Sequence, residues 1–124
     1  MTKLLLALVL LPFIAEAADA PSARIVVQNA PIAGAVYYDA QAIWSRMKVG
    51  DRLTLVRESS NAHDTHAIKL EWQEHMVGYV PRRDNIDLAR QMDHGARAEA
   101  RITDLRRAAN GRHRISYEIS IPLK

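Results

Sequence analysis

Residues 53–72 read LTLVRESSNAHDTHAIKLEW, and the pattern within them decides the fold. At one end Leu53 and Leu55 alternate with Arg52 and Thr54; at the other, Ile68, Leu70 and Trp72 alternate with Lys69 and Glu71. A period of two is the mark of a half-buried strand, so two strands flank a polar loop that carries Asn61, His63, Asp64 and His66. Short side chains such as Asn61 and Asp64 bond loop amides and fix turns, and the same groups can meet a ligand. The sequence leaves both roles open. His63 and His66 are three apart, a spacing that suits a metal on a helical face. Here they precede a strand, and no cysteine or glutamate cluster completes a ligand set, so no metal site is expected.

Working outward, the rest of the chain continues as short strands with punctuation. ARIVVQN (23–29) is apolar and β-branched, a first strand. In AGAVYYDAQAIWSRM (33–47), Ile43, Trp44 and Met47 fit one helical turn after the pair Tyr37 and Tyr38. If that pair is extended, neighbours alternate, so one ring packs inward and the other is available. Trp44 and Trp72 read as packing residues. MVGYV (76–80) follows a short turn and pairs with AIKLEW as a hairpin, and Pro81 stops the ladder for want of an amide hydrogen. DNIDLARQMDHG (84–95) is the clearest helix: Asp84 as its cap, Ile86, Ala89 and Met92 on one face, Gly95 at its end. The last quarter is a long hairpin. Ala96, Ala98, Ala100 and Ile102 alternate along one arm, Ile115, Tyr117, Ile119 and Ile121 along the other, and Asn110-Gly111 forms a tight turn between them. The basic tip, RRAANGRHR (106–114), reads first as solvated arginines. Six strands and one or two short helices define a mainly β (α+β) chain, a small, partly closed barrel crossed by a helix.

The 124 residues form one domain, and the first stretch stands outside it. MTKLLLALVLLPFIAEAADA has an early lysine, an apolar run from Leu4 to Ile14, and small residues at Ala15 and Ala17. This is the three-part pattern of a secretory signal peptide, assigned to residues 1–17, and it is too short to span ~30 Å of hydrocarbon as a permanent helix. The expected mature chain, 18–124, has about 105 residues, enough for one modest core. It is expected to be exported, periplasmic or secreted, with no stable membrane span after cleavage. With no cysteine in the chain, stability rests on packing alone. The formal charge of +3 permits phosphate partners without diagnosing them.

Taken in order, the Tyr37-Tyr38 pair, LTLVRESSNAHDTHAIKL, VGYVPRRDN and LARQMDHGARAEARI together resemble the HIRAN domain. The resemblance runs from about Pro31 to Ile102, and its sharpest elements are Arg57-Glu58, Asn61, His63-Asp64, Ala67-Ile68 and Gly78-Tyr79-Val80-Pro81. It implies a compact six-stranded β-barrel of the OB/SH3-like kind with one or two short helices, in agreement with the strand reading. It also implies binding of the 3′ end of single-stranded DNA by stacking aromatics, a carboxylate on the terminal hydroxyl and basic residues on phosphates. Matched by motif, the stacking pair is Tyr37 and Tyr38, the loop contacts are Asn61, His63 and Asp64, and Arg82 is the basic contact, with Tyr79 on the same wall. The chain departs from the best understood member type in having His63 in place of a tyrosine and Tyr79 in place of a histidine.

The sequence carries no Gly-rich phosphate loop, no activated serine or cysteine and no carboxylate pair with a plausible partner, so a binding module without cofactor is expected rather than an enzyme. Export raises an alternative, in which the same barrel binds an envelope protein, a glycan or another envelope ligand and has no role with DNA.

Overall fold

The computed structural model describes Lys3, residues 23–35, Tyr38 and residues 40–123. The expected signal peptide and Tyr37 lie outside the described residues. Within them the order of elements is β1 (Arg24–Pro31), α1 (Ala40–Ile43) running into a 3₁₀ turn (Trp44–Arg46), β2 (Arg52–Glu58), β3 (Ala67–Trp72), β4 (His75–Tyr79), α2 (Arg82–Asp93), β5 (Glu99–Arg107) and β6 (His113–Pro122). The six strands make one antiparallel sheet in the order β1-β6-β5-β2-β3-β4. The sheet curls until its two edges meet at a single bridge. Just past β1, Ala33 exchanges both backbone bonds with Tyr79 of β4, at 2.9 and 3.0 Å. The result is mostly β, OB-like and not strictly closed.

Alternation along the strands puts Leu53, Ile68, Leu70, Val77, Ala100, Ile102, Ile115, Tyr117 and Ile119 in the interior, each at most 2 % exposed. Leu88 and Ala89 of α2 close the barrel from one side, and Ile43 and Met47 from another. Trp72 is buried and donates its indole N–H to Asp51 (2.9 Å), while Trp44 packs part-buried against the core, so both tryptophans are packing residues as expected.

Three local expectations are corrected. The cap of α2 is Pro81, not Asp84: its backbone (φ −53, ψ 140) breaks from β4, its carbonyl accepts from the Asp84 amide at 2.9 Å, and no side chain caps the helix. Asp84 falls in the first turn, where a carboxylate suits the positive end of the helix dipole. The buried face of α2 carries Asn85, Leu88 and Ala89, and Ile86 points outward at 43 % exposure. Finally, Asn110-Gly111 does not form a two-residue turn. The Gly111 amide bonds Ala108 and the Ala108 amide bonds Arg112, which makes residues 109–111 a three-residue loop in which only Gly111 has positive φ (+81). The tight two-residue turn lies instead at Gln73-Glu74, both with positive φ (44 and 70), between the paired Trp72 and His75.

Candidate nucleic-acid interface

The groove begins where β2 ends. Asn61 Oδ1 accepts from the backbone amides of His63 (2.9 Å) and Asp64 (3.2 Å), and Asp64 Oδ1 accepts from the amide of His66 (2.9 Å). Two successive side-chain turns thus wind residues 61–66 into a compact loop, the behaviour expected of short polar side chains. The loop stands against the end of β4 and the start of α2. There Asn85 donates to Asp64 Oδ2 at 2.7 Å, Arg82 Nε lies 3.7 Å from the same oxygen, and the Arg82 guanidinium also donates to the His63 carbonyl.

Between this loop, Ala33 and the β4 end lies a cavity of about 270 Å³ lined by Tyr38, Asn61, His63, Asp64, Tyr79 and Arg82, with Ala33, Ala67 and Val80 as its apolar floor. The barrel seam has therefore brought together every sequence-predicted site residue that the structure describes. Tyr38 is 36 % exposed and meets Tyr79 edge to face, with ring centroids 5.9 Å apart. On the far side of His63, Asp64 and Arg82 a shallower hollow continues over Thr65, His66, Asn85 and Ile86.

The electrostatics separate the groups. The His66 amide, then the Asn85 amide and the Arg82 guanidinium, hold the Asp64 carboxyl below the ordinary carboxylate value against its partial burial. Asp64 is an anion here, with lone pairs left for a further donor. Burial, followed by the bond its hydroxyl donates to Glu58 (2.8 Å) and the nearby charge, pushes the Tyr79 phenol up to about 12, so it stays neutral. Arg82 is 72 % exposed at the side chain, with its guanidinium at the rim of the groove between the His63 carbonyl and the Asp64 carboxylate.

Two contributors escaped the sequence reading. Glu58 anchors Tyr79 from behind; its place in Arg57-Glu58 beside the loop was visible, but its partner was not. Asn85 is 2 % exposed, the buried polar residue of the described chain. Its signal was present, since it occupies the apolar face of α2 one turn before Leu88 and Ala89, where a polar side chain needs a partner. Arg57, quoted as part of the motif, is structural: it grips Asp93 of α2 at 3.1 and 3.2 Å and the Ala67 carbonyl at 3.2 Å. Among the described residues no group of three or more histidines, cysteines or carboxylates is placed to hold a metal ion, and no helix is long and apolar enough to cross a membrane.

The fold and site together define a small OB-like barrel whose seam gathers two tyrosine rings, a carboxylate and an arginine around one cavity. The HIRAN domain model matches residues 25–124, and the chain belongs to that family. HIRAN domains are in general nucleic-acid-binding modules. The fold is similar to a crystal structure of a protein from Lactobacillus plantarum, with TM-score 0.64 and 27% identity over 79% of this chain and 97% of that one. It is also similar to the HIRAN domain of human HLTF, with TM-score 0.60 and 20% identity over 79% of this chain and 78% of that one. No curated protein matches the chain.

Proposed function

We propose that the protein is an exported HIRAN module that binds the 3′ end of single-stranded DNA in the Tyr38–Asp64–Tyr79–Arg82 groove, without enzymatic activity. The observation that carries this reading is the convergence of those side chains, from three separate parts of the chain, on one cavity. A terminal 3′ hydroxyl is a donor that the ionised Asp64 can accept, whereas a terminal phosphate would meet a second negative charge there. Tyr38, and Tyr37 by motif, offer faces to terminal bases at about 1–3 kcal/mol per stacked base without sequence preference, and Arg82 pairs with a phosphate.

The test is a titration of the mature protein with a short labelled strand ending in a free 3′ hydroxyl against the same strand ending in a 3′ phosphate. The hydroxyl should bind more tightly. Equal, weak and steeply salt-dependent binding of both would be adhesion of a basic protein, and the envelope-ligand alternative would take its place. Export rests on the leader at residues 1–17. Intact mass of the protein recovered from cells should show a chain starting near Ala18, and full-length chain in the cytoplasm would remove export.

A further inference from the structure

Glu58 is the last residue of β2 and is absent from the cavity lining, yet it holds two residues that line it. Its Oε1 accepts from the Tyr79 hydroxyl at 2.8 Å and from the Asn61 amide at 3.2 Å. The other oxygen faces Lys69 Nζ at 3.9 Å, and Lys69 in turn bonds Glu71 at 3.0 Å, so a countercharge sits behind the carboxylate and away from the groove. Through Tyr79 the carboxylate fixes the ring that meets Tyr38 edge to face. Through the Asn61 side chain it holds the Oδ1 that winds the loop carrying His63 and Asp64.

We propose that Glu58 is the positioning residue of this groove: it orients Tyr79 and Asn61, and it turns the Tyr79 hydroxyl proton and one Asn61 amide hydrogen away from the ligand, so that the Tyr79 lone pairs and the Asp64 carboxylate are the acceptors where the ligand's end is read. The inference rests on the nucleic-acid reading for its ligand and not for its geometry. A hydroxyl has one proton, and that of Tyr79 is spent on Glu58, so only its lone pairs remain to face inward. With the Asp64 carboxylate opposite, the groove selects ends that donate. An ionised acceptor makes the Tyr79 bond a strong, charge-assisted one, which is what holds a ring wall still.

The experiment compares wild type with Glu58→Gln, Tyr79→Phe and the double variant. Folding is checked by circular dichroism. Two readouts need no DNA. In Glu58→Gln the Tyr79 phenol should ionise at lower pH than in the wild type, since the bond and charge of Glu58 add to burial in raising it, and the phenolate absorbance that moves should be the part that Tyr79→Phe removes. The Asn61 side-chain amide resonance should also shift. The third readout is affinity for a short thymidine strand with a free 3′ hydroxyl: each single variant should lose about fivefold to tenfold, and the double variant no more than the worse single one. Unchanged phenol ionisation and an unmoved Asn61 resonance would overturn the proposal, as would single losses that multiply in the double variant. Should the wild type bind no strand at all, the nucleic-acid reading fails, and the phenol and amide readouts alone decide on Glu58. Tyr79→Phe removes a single oxygen and keeps the ring, so the affinity arm stands even where Glu58→Gln does not fold.

Discussion

At Asp64 one carboxylate serves the loop and faces the groove at once. Its oxygens accept from the His66 amide and from Asn85 at 2.9 and 2.7 Å, so it is a structural residue whatever else it does. Asp64→Asn removes the charge and turns one acceptor into a donor facing another donor. It should lower stability by about 1 kcal/mol at neutral pH, measured by denaturant unfolding. The sign of the pH dependence follows from the lowered carboxyl. The contribution of the charge is fully present above the ordinary value of 3.8 and is lost as pH falls through the lower folded-state value. The stability difference between wild type and Asp64→Asn should therefore narrow in acid below that point. A difference that stays constant into strong acid would show that the charge contributes nothing to the loop. If Asp64 also meets a ligand hydroxyl, binding per folded molecule should fall as well, and melting and titration of one preparation separate the two effects.

At the scale of elements, β4 is the strand that makes the site, and its two ends are held by unusual backbone. Gly78 has φ +148, and a Cβ there would sit 2.3 Å from Ile32 Cγ2 and 2.5 Å from the Ala33 carbonyl oxygen. That close approach is what lets Ala33 bridge to Tyr79 and brings the sheet edges together. Gly78→Ala should cost about 3 kcal/mol through strain and a backbone clash, and should loosen the groove along with the seam; a shift of the unfolding midpoint by less than a third of this would refute the seam argument. At the other end of β4, Gln73 and Glu74 occupy the turn that favours Asn-Gly. Replacing them by Asn and Gly should raise stability by about 1 kcal/mol, read as a higher urea midpoint with unchanged slope. The strands, the hairpins and a helix, read over 84–95 and found at Arg82–Asp93, were legible in the sequence because period and turn chemistry act between near neighbours. The turn geometries were not. Asn-Gly favours positive φ without compelling it, and the pairing of Arg107 with His113 decides the loop length at residues 109–111. The pairing of Trp72 with His75 forces positive φ on two residues that do not prefer it.

For the whole molecule, the net charge of +3 is small, and the groove contributes one exposed arginine to it. Binding that depends on Arg82 and one or two further arginine contacts should have a shallow salt dependence, a log–log slope of about −0.7 per contact on single strands. Stacking survives salt, so substantial affinity should remain at high ionic strength, and Tyr38→Ala should remove about 1–3 kcal/mol of it for a short strand. A steep slope with no effect of Tyr38→Ala would mean that the surface charge of the barrel binds the strand and the groove does not.

The sequence alone determined a mainly β chain of six strands, one principal helix, and a polar loop carrying Asn61, His63 and Asp64 between two of the strands. Hydrophobic period and turn residues encode these within a few positions of one another. It also supplied the motif pieces that resemble the HIRAN domain. Only the tertiary structure decided that those pieces form one groove. Glu58 reaches Tyr79, and Asp64 reaches Asn85, across twenty-one positions of sequence, and Gln28 of β1 bonds the Asp84 carbonyl across fifty-six. Such partners are chosen by the curl of the sheet and the seat of α2 against it, and a side chain's own neighbours carry no record of that choice. This is why the loop-anchoring role left open for Asp64 gained its distant partner Asn85 only in the folded chain, and why Glu58, behind the wall, could be assigned a role only once the wall was built.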